Sequence, residues 1–309
     1  MKRMRSDILA FSGAFLLLAA YIAGGYAAAP AGAFLTSFLP AAGILLACGI
    51  LLYFLNEKTL SGISILVPTV YLVLATAHPD SLRFAPFHAA VLLVAVSLFF
   101  YLTFTAIRPS TDYLAASCIF LGAAAMIEPP MLWLAPVLTL SAVGKAEEKG
   151  KFWAAAVLAL FLPFFAWYGI SYLRGQMEPL ATVFAGLWTR MTDFGRTDIR
   201  FSDVTLLRIA LVALSVLLAI VSTVKRLGTY KIAQFRTSVR LIILTLAFSL
   251  LTLLFYHSSA VPAGMFTALP AAPLIGECLS RTADRKTTRT LTLIVVLVLL
   301  AERAACLLQ

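Results

Sequence analysis

Three short stretches hold most of the side chains that could do chemistry. The first is His78-Pro79-Asp80-Ser81-Leu82-Arg83, with His88 close behind it. The second is Glu128, followed at once by Pro129-Pro130. The third is Tyr256-His257-Ser258-Ser259. A carboxylate such as Asp80 or Glu128 would serve as a general base or metal ligand. A histidine such as His78, His88 or His257 would serve as acid, base or ligand. Taken together as an enzyme site, Asp80 is the base or metal ligand and Glu128 a second carboxylate. Arg83 or His88 then holds a phosphate, with His78 and His257 nearby as further binding groups. The competing reading is plainer: polar residues end apolar segments, and a His or Asp there marks an interface. These spacings specify neither a metal nor a cofactor.

Several chemistries lack their signatures. The chain carries no phosphate-binding glycine loop, no HExxH, no GxSxG and no aspartate-rich phosphate motif. ATP hydrolysis, zinc proteolysis and acyl hydrolysis are therefore disfavoured. Cys48, Cys118, Cys278 and Cys306 lie far apart in or beside apolar runs, and no CxxC pair exists. They read as small apolar residues rather than a zinc or redox site.

The elements that must position these residues follow from composition. Of the 309 residues, 61% are hydrophobic and 12% charged. A soluble domain is about 45–50% apolar and about 25% charged. So few charges cannot cover so much apolar surface, and lipid must be the solvent for most of it. In hydrocarbon every backbone group must be paired within its own segment, so each apolar run is a helix. The expected fold is all-α, a single polytopic transmembrane bundle over 1–309. Spans are expected at 8–29, 38–55, 61–77, 86–107, 113–127, 131–143, 152–173, 205–224, 241–256, 262–280 and 290–308. That is about eleven, or nine plus a re-entrant pair at 113–143, whose two helices are short. If the pair re-enters, Glu128 lies at depth, where a carboxylate costs at least about 2–3 kcal/mol and needs a partner or a wet cavity. If it spans, Glu128 lies at the surface. The start, Met1-Lys2-Arg3-Met4-Arg5 and an apolar run, also resembles a signal peptide, with Ala27-Ala28-Ala29 as its cleavage site. The length of the run favours a span.

Charge gives the orientation. With the N-terminus inside and strict alternation, only Arg83, Arg174, Arg190, Arg196, Arg200 and Arg303 fall outside, and Arg208 sits at an edge. The rest of the 24 Lys and Arg fall inside. The positive-inside rule thus selects a cytoplasmic N-terminus and accounts for the net charge of +10 without nucleic acid. The outer segment 174–204 holds Leu180, Val183, Phe184, Leu187, Trp188 and Met191 on one helical face, which predicts an amphipathic surface helix. The loop 225–240 carries Lys225, Arg226, Lys231, Arg236 and Arg240 with no acid. It is a topogenic loop or a site for anionic headgroups.

Two resemblances add to this. Ser110-Thr111-Asp112-Tyr113 through Gly122-Ala123-Ala124-Ala125-Met126-Ile127-Glu128-Pro129-Pro130-Met131-Leu132-Trp133 resembles a stretch in polytopic inner-membrane proteins of Bacteroidota whose role is uncharacterised. That implies a location in the bacterial inner membrane. The small-residue helix, turn and apolar helix at 121–140, with Pro163 to Tyr172 and the amphipathic helix after it, is similar to membrane glycosyltransferases of the GT-C type. This second resemblance covers about a third of the chain. It implies a polyprenyl-phosphate sugar donor at the outer leaflet. GT-C enzymes carry an acidic motif in a long first outer loop, whereas Pro30 to Ser37 here has no charge. Asp80 is the nearest substitute.

The expectation from sequence is therefore a cell-envelope membrane protein acting by packing with an envelope protein or lipid. A GT-C-like lipid-linked transferase is the alternative, and a small-solute transporter the third reading. The partners expected are the bilayer, a polyprenyl-phosphate lipid or an envelope protein, and no nucleic acid.

Overall fold

The computed structural model describes residues 34–60, 66–76, 79–106, 110–143, 149–175, 180–192, 213, 217, 232–256 and 260–281. Among these residues the fold is all-helical. The helices are α1 (Leu39–Leu60), α2 (Leu66–Ala75), α3 (Pro86–Ala106), α4 (Thr111–Ile127), α5 (Leu134–Ala142), α6 (Lys149–Leu173), α7 (Leu180–Thr192), α8 (Ile232–Phe255) and α9 (Ala260–Arg281). A π-helical turn at Phe34–Phe38 and 3-10 turns at Pro79–Leu82 and Pro129–Trp133 join them. The expected spans at 8–29 and 290–308, and most of 205–224, lie outside the described residues. The other expected spans each fall on a helix.

Among the described residues four helices are long and apolar enough to cross a membrane: Thr36–Leu60, Pro86–Ala106, Lys149–Leu173 and Gln234–Phe255. These features are those of a membrane protein. Their packing runs as a chain of neighbours. Helix α6 lies on α4, α4 on α3, α3 on α1, α1 on α2, α2 on α9 and α9 on α8, and α8 returns to α1, α3 and α5. Helix α3 is the centre: 61% of its most apolar stretch is buried, against 11% for α6. Helix α6 therefore turns most of its apolar surface, including Leu158, Leu162 and Phe165, away from the protein.

Two glycines set the closest approaches. A Cβ at Gly122 would collide with the carbonyl oxygen of Leu160, so only hydrogen there lets α4 and α6 meet. A Cβ at Gly276 would fall 2.6 Å from Val67 Cγ2 and 3.0 Å from its Cα, fixing α9 on α2. Small residues at helix crossings are how packing is gained where no water is expelled. A third glycine works differently: Gly175, at φ 70, ends α6 in the left-handed region that closes helices.

The register of α3 and α4 places the turn between α4 and α5. The Ser97 hydroxyl donates to the Ser117 carbonyl at 2.8 Å. Glu128 lies as many residues beyond Ser117 as Pro86 lies before Ser97. Equal rise brings Glu128 level with Pro86, where α3 begins. At the other end Tyr101 and Ser141 share a hydrogen bond between their hydroxyls. Tyr101 lies about 22 Å along α3 from Pro86, at about 1.5 Å per residue, so the chain from Glu128 to Ser141 covers about that height. Helix α5 packs on α8 and α6 more than on α4, so the two do not form a closed hairpin.

Gly122→Ala should lower the thermal midpoint of the detergent-solubilised protein, with a cost of about 1–3 kcal/mol for forced overpacking. Gly169→Ala on α6 has open space for its Cβ. It should leave the midpoint unchanged or slightly higher.

Candidate functional site

The loop 79–88 shows first why its histidine is buried. Pro79–Leu82 forms a 3-10 turn, closed as the Arg83 N–H donates to the Asp80 carbonyl at 2.9 Å. Pro86 opens α3, a position that needs no N–H. His88, fully buried, faces back across this loop. Its Nε2 lies 2.9 Å from the Ser81 carbonyl, so Nε2 carries the proton and donates. Nδ1 then accepts from the Ala85 N–H at 3.1 Å. The ring is stacked on Phe87, centroids 4.4 Å apart, and lies 5.9 Å from Phe84. The Phe84 N–H in turn donates to Ser37 Oγ at 2.9 Å, docking the loop on the residues before α1. Both nitrogens of His88 are thus used in holding the loop. Asp80 and Arg83 share that loop, but their side chains face outward and are exposed.

Glu128 has a different setting. Two prolines follow it, and a residue before proline is pushed out of the helical region. Glu128 accordingly takes φ −124, ψ 86, and α4 stops at Ile127 although the sequence stays apolar. Its N–H still donates to Ala124 O at 2.8 Å, and its carbonyl accepts from the Met131 N–H at 3.0 Å. The half-buried carboxylate accepts the Tyr256 hydroxyl at 2.6 Å. Tyr256, at the end of α8, is 8% exposed and packs its ring near Phe266 of α9, centroids 5.8 Å apart. One carboxylate so joins the ends of α4 and α8, beside α9.

The same turn makes a second tie. Trp133 Nε1–H donates to the Met191 carbonyl at 3.1 Å, fastening the end of α7 to the 129–133 turn. The predicted amphipathic helix is present as α7, with Leu187 and Met191 against the core and Trp188 exposed. Beneath it an apolar groove of about 850 Å³ opens between α5, α6 and α7. Its lining includes Leu132, one residue before Trp133.

The opposite end of the bundle is basic. Arg240 donates to the Thr105 carbonyl at 3.4 Å, with exposed Arg236 a turn earlier on α8. Lys58 lies 5.2 Å over the Phe99 ring.

The structure therefore brings Asp80, Arg83 and His88 into one loop and gives Glu128 separate partners. His78 and His257 lie outside the described residues. Among the described residues no group of three or more His, Cys, Asp or Glu side chains could hold a metal. Sequence reasoning missed the role of Tyr256, which stood only as a helix cap, and the tie from Trp133. The available signal was an acid before two prolines, which must leave the helix and find a donor. No protein-family model, curated protein or solved structure matches the chain.

Tyr256→Phe removes the donor from a half-buried carboxylate and should cost about 1–3 kcal/mol of stability. Glu128→Gln keeps an acceptor and should cost less. In a double-variant cycle on thermal stability, Tyr256→Phe should couple with Glu128→Ala, which removes the acceptor, as side chains in direct contact do. Strictly additive losses would mean the bond contributes nothing.

Proposed function

We propose that this is a polytopic protein of a bacterial inner membrane, N-terminus inside, that works in the cell envelope by packing lipid or a partner protein. One observation carries the reading: the buried or half-buried candidate side chains are engaged in holding the fold, while the groove between α5, α6 and α7 is apolar. A histidine with both nitrogens bonded to backbone is a poor proton shuttle. A carboxylate bonded to a buried phenol between helix ends is a strut. An apolar groove of this volume falls within the range of ligand sites, about 300–1,000 Å³. The eleven-span reading draws support from the level of Glu128 with Pro86, which favours a spanning pair over a re-entrant one. The basic end formed by Lys58, Arg236 and Arg240 supports the cytoplasmic assignment of that side.

A lipid-linked transferase of GT-C type is the second reading. The observation favouring it is the short distance in sequence from Glu128 to Leu132, which lines the groove. A carboxylate would then stand near the mouth of a site for a polyprenyl chain, with Asp80 and Arg83 on the exposed surface.

The two readings part on charge-neutral variants. Asp80→Asn and Glu128→Gln, expressed at wild-type level in a strain lacking the gene, should each restore the envelope phenotype fully. Loss of complementation by either, with the protein present and folded, would replace the packing reading with the transferase.

A further inference from the structure

The groove has the chemistry of a particular occupant. Its walls come from three helices: Leu140 of α5, Trp153 and Leu160 of α6, and Trp188 and Met191 of α7, with Cys118 of α4 at the back. The back wall is fixed, because Gly122, one turn beyond Cys118, draws Leu160 against α4. One edge is fixed by the hydrogen bond from Trp133 to Met191. The lining is almost wholly apolar, so whatever fills it is apolar too. A charge flanks it. On α7 Arg190 is exposed, three residues on from the groove-lining Leu187 and so at the edge of the groove face, and it is the only ionisable residue of that helix.

That pairing selects among occupants. An apolar helix from another protein, or a second copy of α6, would fill the groove but leave the guanidinium unmatched. A zwitterionic lipid would match the groove, and its own ammonium would compete for its phosphate. A lipid with an apolar chain and net negative headgroup matches both, since Arg binds phosphate oxygens with two parallel N–H donors. A surface helix with an apolar face and a cationic residue beside it is also the pattern that seats on anionic bilayers. We infer that the groove between α5, α6 and α7 holds an acyl chain of an anionic phospholipid, its phosphate on Arg190. This deepens the packing function above and rests on the chain residing in a membrane.

Tryptophan fluorescence tests it, because bromine on an acyl chain quenches only indoles it touches. Trp153 lines the groove, while Trp167 lies on the same helix, exposed and outside it. Two proteins are compared, both keeping Trp133 because its N–H closes the groove. One keeps Trp153, with Trp167 and Trp188 changed to Phe. The other keeps Trp167, with Trp153 and Trp188 changed to Phe. Each is placed in phosphatidylcholine vesicles with a minor fraction of acyl-brominated phosphatidylglycerol or acyl-brominated phosphatidylcholine. Trp153 should be quenched at about fivefold lower bromolipid fraction by phosphatidylglycerol, the factor expected from one basic residue near a headgroup. Arg190→Gln should remove that preference. Trp167, read as the difference from a protein that keeps Trp133 alone, should be quenched equally by both lipids, and Trp153 is read in the same way. Equal quenching of Trp153 by both lipids, no quenching of Trp153, or a preference that survives Arg190→Gln would overturn the inference and leave the membrane reading standing. Failure to quench Trp167 would instead remove the membrane reading, and this inference with it.

Discussion

A polar group inside hydrocarbon has no water to fall back on, and the rest of this structure follows from that constraint. The backbone answers it by remaining helical between breaks. The hydroxyls answer it in the same local way. Thr59, Thr103, Thr139 and Thr245 each donate to the carbonyl four residues earlier, at 2.7 Å. Such back-bonding would compete with helix formation in water. Here it makes a threonine as easy to bury as a valine. Several polar groups not satisfied so locally join helices, among them Ser97 to Ser117, Tyr101 to Ser141, Tyr256 to Glu128, and Trp133 to Met191.

The turn from Glu128 to Trp133 is where these ties concentrate. Pro129 and Pro130 force the chain out of α4, and that break exposes a carboxylate at one end and an indole at the other. The first reaches α8, and the second reaches α7. A single irregular turn thus holds elements far apart in sequence. It also supports one edge of the apolar groove. His88 does a comparable task across the loop before α3, where the polar atoms of one ring replace a helix cap.

The helices were legible because their signal is composition over long runs. Segments 86–107 and 152–173 match α3 (Pro86–Ala106) and α6 (Lys149–Leu173) within a few residues. The amphipathic helix at 180–191 was legible by its spacing. In the pair at 113–143 shortness alone cannot separate a spanning pair from a re-entrant one, and the level of Glu128 with Pro86 comes from the Ser97–Ser117 register, which no sequence pattern carries. The site was less legible still. Asp80, Arg83 and His88 do share a loop, as their spacing implied, but the inward turn of His88 depends on Ser81 and Ala85 carbonyl and amide positions that no side-chain pattern encodes. The partner of Glu128 is a tyrosine a long way down the chain, and its contact arises only from the packing of α8 and α9.

Spin labels on Leu158→Cys, Leu162→Cys and Phe165→Cys, in protein whose other cysteines are replaced, show in vesicles whether lipid covers the bare face of α6. A lipid-covered face gives frequent collisions with oxygen, which concentrates in hydrocarbon, and few with a water-soluble nickel chelate at all three positions. Frequent collisions with the nickel chelate would place that face in water and overturn the membrane packing of this helix.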